Sequence, residues 1–196
     1  MRALTHFGFW TLHLAAPETQ TTALERSCLT RHAAGKTCLA EVGVWHGVTT
    51  CCLRSAMAPE ATLFAIDPYP VGMLGFSAQQ VIAKTEVSRI RNGSVEWIRK
   101  TGAQAASDLS HRIGQSFDFV FIDGVHTYEG LQSDWLGWSV LVRALGVIAL
   151  HDSRSTKDRP IDDAGSVRFT REIVLRDSRF EVVETVDSLT VVRRTT

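Results

Sequence analysis

Two hydrophobic rhythms alternate along this chain. Short, dense apolar runs recur at CLAEV (38–42), TLFAID (62–67), VEWI (95–98), FDFVFID (117–123) and GVIALHD (146–152), and they read as strands. FDFVFID is apolar enough to be buried on both faces. Between the runs, apolar residues fall at helical spacing. This predicts helices over 17–34, closed by Gly35, and over Val48–Met57, ending near Pro59. Further helices are predicted over 77–91, stopping at Asn92-Gly93, and over 103–111, 129–144 and 166–176. FEVVETV and SLTVVRR, joined at Asp187-Ser188, read as a closing hairpin, and 153–165 as a polar loop. Five strand–helix alternations followed by a hairpin predict an α/β domain. Its sheet is seven-stranded and mostly parallel, with helices on both faces and a C-terminal antiparallel hairpin. Residues 1–196 are read as one domain, with 1–35 as an N-terminal helical or lid segment.

In such sheets ligands sit beyond the carboxyl ends of the strands. The residues to watch are therefore Gly43, Asp67, Asp123 and the pair His151-Asp152. The stretch Glu41-Val-Gly43-Val-Trp-His-Gly47 leaves the first strand and opens a helix. Its glycines permit a sharp turn and a close approach to the helix N-terminus. Asp67 ends the next strand, where a carboxylate can accept hydrogen bonds from ribose hydroxyls. The loop lacks GxGxxG and holds Val44, Trp45 and His46, which argues against a dinucleotide. A ligand with an adenosine but no diphosphate fits better, and S-adenosylmethionine (SAM) is one. Trp45 and His46 either contact a substrate or cover the loop.

The second informative stretch is FDFVFIDGVHTYEG, followed by GVIALHDS. If their strands are neighbours, Asp123, His151 and Asp152 converge into a mixed oxygen and nitrogen site suited to magnesium, manganese or iron. His126 lies in the turn after Asp123 and suits a general base near neutral pH. Glu129 and Asp134 are expected in the first turns of the next helix, where the helix dipole favours negative charge. Trp135 and Trp138 are expected in the core. Two other readings stay open. One is an oxidoreductase or hydrolase using the Asp/His cluster around iron or zinc. The other is a nucleotide-binding module without catalysis, or an NAD-linked enzyme.

Twenty-one basic and twenty-one acidic residues cancel, so charge gives no case for nucleic acid or an anionic membrane as partner. No apolar run approaches the roughly 20 residues of a membrane helix. The apolar N-terminus, with Phe7, Phe9, Trp10 and Leu12, is read as a lid or edge segment with a surface for a homodimer. Four cysteines without CxxC spacing are expected as free thiols in a reducing cytoplasm. Gly72, Met73 and Gly75 suggest a mobile loop over the cleft.

The combination EVGVWHG, AIDPYP, FVFIDGVHTYEG and VIALHDS resembles class I SAM-dependent methyltransferases. More narrowly it is similar to metal-dependent O-methyltransferases that include macrolide sugar-modifying enzymes. The resemblance spans roughly residues 36–155. It implies a Rossmann-like three-layer sandwich and O-methylation of a hydroxyl on a small molecule, a sugar or another secondary metabolite. It implies that Glu41, Gly43, Val44, Trp45, Gly47, Asp67, Pro68, Thr101, Gly102, Ala103 and Asp123 hold SAM. It further implies that Asp123, His151 and Asp152 hold magnesium or another divalent cation, and that His126 takes the acceptor's proton. The sugar-modifying relatives carry a carboxylate where this chain has His151. With no separate substrate domain, residues 1–20 and 68–80 are expected to build most of the acceptor site.

Overall fold

The computed structural model describes residues 2–72 and 75–195. Among these the sheet comprises β1 Cys38–Val42, β2 Thr62–Ile66, β3 Ser94–Ile98, β4 Phe117–Ile122, β5 Val142–Leu150, β6 Phe180–Val186 and β7 Leu189–Arg194. The helices are α1 Arg2–Thr11, α2 Ala23–Ala33, α3 Val48–Ala56, α4 Ala78–Ser88, α5 Gly102–Arg112, α6 Tyr128–Trp138 and α7 Gly165–Glu172. The strand order is β3-β2-β1-β4-β5-β7-β6. The first five strands run parallel, and β7 lies antiparallel to both β5 and β6. The predicted α/β sandwich with a C-terminal hairpin is the observed one.

One face of the sheet packs Val42, Ile66, Ile122 and Leu150 against α5, α6 and α7 through Leu109, Trp135, Trp138 and Phe169. The other packs Leu39, Leu63, Phe119 and Phe121 against α2 and α3 through Leu29, Leu53 and Met57. β4 is buried along its whole length, which explains its apolar run, and its one acid, Asp118, accepts from Thr37 N–H, Thr37 Oγ1 and Cys38 N–H. No helix among the described residues is long and apolar enough to cross a membrane. All four cysteines are free.

Register positions the site. Val42 pairs with Ile66 on one side and Ile122 on the other, and Ile122 pairs with Leu150. The next residue of each strand therefore emerges at one level: Gly43, Asp67, Asp123 and His151. Between β1 and β4 the order of strand addition reverses, and the crevice opens there.

Three boundaries differ from the sequence reading. α2 starts at Ala23 rather than 17, because Thr22 accepts from Glu25 N–H while the Glu25 carboxylate accepts from Thr22 N–H. The N-terminal segment is itself helical. Trp10 Nε1 donates to Glu86 on α4 at 2.7 Å, and the Phe7 ring meets Phe76 at 5.6 Å. Phe9, Leu12 and Leu14 remain exposed. α6 stops at Trp138, and β5 begins at Val142 with an irregular stretch through Leu145 (φ +63°). There the register jumps from Phe117↔Val142 to Phe119↔Val147. Met73 of the expected mobile loop lies outside the described residues. Its neighbours close a turn, with Gly72 N–H donating to Phe76 O and Gly75 N–H to Gly72 O.

Candidate active site

The glycine loop after β1 is shaped by the protein's own backbone. Gly43 has φ +90°, and a Cβ there would lie 2.0 Å from the Asp123 carbonyl oxygen. Gly47 has φ +77°, precedes α3, and would press a Cβ to 3.1 Å from Ala83 Cα on α4. The two glycines let the loop lie flat between β4 and α4. Asp67 fixes it there. Its Oδ2 accepts from Val44 N–H (3.0 Å) and Trp45 N–H (3.1 Å), and its Oδ1 accepts from Tyr69 N–H (2.8 Å). A carboxylate oxygen has two acceptor positions, so Oδ1 keeps one for a ligand. Trp45 stacks on His46, which stacks on His6 of α1 at 4.9 Å. His46 Nδ1 accepts from Glu18 N–H, and burial followed by the neighbouring His6 pushes its pKa down to about 4. His46 therefore joins the N-terminal segment to the loop as a neutral, buried ring.

Two cavities meet along this loop. One, of 270 Å³, is lined by Glu41, Val44, Trp45, Asp67, Asp123 and His126, and by Glu18–Gln20 at its edge. The other, of 450 Å³, is lined by Asp67, Pro68, Thr101, Gly102, Ala103, Asp123 and Asp134, among others. Thr101 caps α5, accepting from Gln104 N–H, so the second cavity reaches the start of that helix. Glu41 is 1% exposed, and neither carboxylate oxygen has a hydrogen-bond partner. Burial, with Asp123 and Asp67 nearby, holds its pKa well above the usual carboxylate range. An unpartnered buried acid is costly unless a cation or donor meets it.

The ends of β4 and β5 carry a network of three acids and three bases. Asp123 Oδ1 accepts from His151 Nδ1 at 2.8 Å and lies 3.2 Å from His126 Nε2. His126 Nδ1 lies 3.1 Å from Asp152 Oδ2, which also accepts from Arg159 Nη2 at 2.5 Å. His151 Nε2 faces Glu25 of α2 at 3.5 Å. Asp152 has φ +48°, a strained corner held by Ser166 Oγ donating to its carbonyl. Hydrogen bonds to Asp123 and Asp152 raise the His126 pKa to about 9. Burial opposes charge on His151, but Asp123 and Glu25 outweigh it and lift its pKa to about 10. Asp152 is likewise buried, yet His126 and Arg159 hold it well below the carboxylate range.

The structure thus brings Asp123, His126, His151 and Asp152 together. Within this set, Asp123, His126 and His151 offer ligand atoms within 4.8 Å of one another, and Asp152 is absent from that group. Magnesium prefers an oxygen shell. Here the Asp123 oxygen facing the cluster is shared by two imidazoles, and Arg159 and His126 already hold Asp152. The arrangement is a poor fit for magnesium, and no step is assigned to it.

Three residues escaped the sequence reading. Glu25 sits beneath His151, and its signal was the Thr22-x-x-Glu25 capping pattern. Arg159 comes from the polar 153–165 loop and carried no signal. Asp134 is the seventh residue of α6, away from the first turn, and faces the larger cavity.

The sheet order and the crevice at its carboxyl end are those of a class I methyltransferase domain. The family model described as a methyltransferase domain matches residues 40–153, and the chain belongs to that family as a SAM-dependent enzyme. No curated protein matches the chain. A solved Corynebacterium glutamicum protein is 21% identical, with TM-score 0.69, over 100% of this chain and 91% of that one. An O-methyltransferase from Bacillus cereus, solved in complex with SAH, is 16% identical, with TM-score 0.62, over 98% and 89%. An rRNA methylase from Streptococcus thermophilus is 10% identical, with TM-score 0.59, over 88% and 95%. These three likenesses are to the fold.

Proposed function

We propose that the protein methylates a hydroxyl group of a small molecule, with His126 as the base. The observation that carries this is His126, paired with Asp152 behind it, lining the same cavity as the unpartnered Glu41. When bound, SAM supplies a methyl group already activated by its sulfonium. Glu41 offers a buried carboxyl group whose ionised form the cationic methionine end would stabilise. The free acceptor position on Asp67 Oδ1 offers itself to a ribose hydroxyl. Asp152 holds His126 at Nδ1, which leaves Nε2, on its longer contact to Asp123, to take the acceptor's proton. The rest of the acceleration comes from positioning. The 270 Å³ cavity and the balanced charge favour a small acceptor over the nucleic acid of the rRNA methylase neighbour. The Bacillus cereus O-methyltransferase supports the choice of oxygen.

Calorimetry with S-adenosylhomocysteine tests the cofactor side. The wild type should bind, and Glu41→Gln should weaken binding about tenfold or more, roughly 1.4 kcal/mol. Thermal unfolding of ligand-free Glu41→Gln should match wild type, since burial already favours the uncharged acid at this position. Unchanged affinity in the variant would dismiss Glu41 as a cofactor residue.

A second reading is favoured by the 4.8 Å grouping of Asp123, His126 and His151, a two-histidine, one-carboxylate set suited to a borderline metal. Chelation separates the two. We expect turnover to survive extensive chelation. Loss of turnover, restored by one transition metal, would favour the second reading.

A further inference from the structure

Between α2 and the edge strand β6 lies a cluster of side chains that the proposed chemistry leaves unused. Cys28 and His32 are four residues apart on α2, so they leave the same face of that helix. Glu184 meets them from β6. The Cys28 sulfur, a His32 ring nitrogen and a Glu184 oxygen all lie within 4.8 Å of one another. His32 Nε2 stands 2.9 Å from Glu184 Oε2, and Arg31 Nη2 donates to Oε1 at 2.5 Å. Cys28 is fully buried, whereas His32 and Glu184 are partly exposed, so the cluster has a protein floor and a solvent side.

The strand is bent to place the acid there. Val182 pairs with Val192, which packs in the α5–α7 layer. One residue is then inserted at Val183, and Glu184 pairs with Val191, which packs in the α2–α3 layer. Directly paired residues share a face of the sheet. The bulge therefore turns Glu184 onto the α2 face, where regular alternation would have kept it on the side of Val182. A histidine and an arginine on a carboxylate make an ordinary surface ion pair. The buried thiol adds a third donor type that an ion pair does not use.

We propose that Cys28, His32 and Glu184 form a zinc site that fastens α2 to β6. Sulfur, imidazole and carboxylate together suit zinc, whereas magnesium and calcium take oxygen shells. Bonds of about 2.0–2.3 Å to a tetrahedral ion set its ligand atoms about 3.3–3.8 Å apart, so a small closing of these side chains completes the set. The fourth position, on the solvent side, is open to water. Burial and then the Glu184 charge push the Cys28 thiol up to about 12. A divalent cation between the two reverses that repulsion, and the thiol gives its proton to solvent on ligation. Glu25, one turn earlier on α2, faces His151, so the metal steadies the helix that underlies the candidate active site.

Cobalt(II), which accepts zinc's tetrahedral sites and has a visible spectrum, tests this on the full, reduced chain without oxygen. Wild type should bind it with a thiolate-to-cobalt charge-transfer band, and added zinc should bleach that band. The band separates this site from Asp123, His126 and His151, which offer no sulfur. Cys28→Ala should abolish it while Cys38, Cys51 and Cys52 remain. His32→Ala, at a partly exposed position, serves if the cysteine variant does not fold, and should weaken cobalt binding about tenfold or more. Zinc should also raise the Tm of wild type by more than that of His32→Ala. A wild type without the thiolate band, or a band that survives either substitution with unchanged affinity, overturns the site. An equal rise in Tm for both proteins overturns its fastening role.

Discussion

His126→Ala is expected to lower kcat by about 10²- to 10⁴-fold, the usual contribution of a positioned base. Affinity for S-adenosylhomocysteine should be nearly unchanged. The side chain lines the smaller cavity from the turn after β4, while Glu41 and the Asp67-anchored loop line it from β1 and the turn that follows. The pH dependence gives a second signature. His126 is faced by Asp123 and Asp152, with His151, Arg159 and Glu25 behind them. Its pKa stands at about 9 against an ordinary 6.5. A raised pKa means that the base form gains population only as pH climbs. In the free enzyme kcat/KM should therefore rise through neutrality and level off near pH 9. Asp152→Asn removes one of the two carboxylates that hold the charge and should move the plateau to lower pH. A flat profile, or an alanine variant that turns over like wild type, removes His126 from the mechanism.

The carboxyl-end geometry was legible because it depends on local pattern. Five apolar runs set the strands, and the residue after each run must emerge at the crevice. Asp67, Asp123 and His151 could be named from this alone. The role of the glycines was only half legible. Their need for positive φ follows from the turn, but the space they spare belongs to the Asp123 carbonyl and to α4. No local pattern reveals that neighbour. Asp134 reads in sequence as an ordinary helix acid, because its burial comes from turns at 102 and 124. The start of β5 was misplaced for a similar reason. Ser139–Leu145 continues the apolar composition of α6, and only pairing with β4 across an irregular register makes it strand. Arg159 could not be found at all, since its partner Asp152 defines its purpose.

Glu25 is where tertiary context departs furthest from the local sequence, and Glu25→Ala should carry the largest stability cost outside the core. The carboxylate accepts from Thr22 N–H at 2.8 Å, Ser188 N–H at 2.9 Å and Ser188 Oγ at 2.7 Å, and it faces His151. It thereby ties α2 to the β6–β7 turn beneath the active site. Removing it strands these donors and a buried imidazolium, a loss of about 3–5 kcal/mol. For a chain of this size that lowers Tm by about 6–20 °C. The sign with pH follows from the native pKa. Burial alone would raise it, but His151, Thr22 and Ser188 prevail and lower it from 4.5 to about 2. At 1.36 kcal/mol per pKa unit that is about 3 kcal/mol, present above pH 4.5 and lost as pH falls toward 2. The gap in Tm between wild type and Glu25→Ala should accordingly be full at pH 6 and close as the solution is acidified. A gap that persists unchanged to pH 2 would mean that the alanine acts through packing alone. Glu25→Gln, which keeps the shape and an acceptor but loses the charge, should fall between the two proteins at pH 6. It should also lower the His151 pKa, because one of the two acids holding that proton has gone.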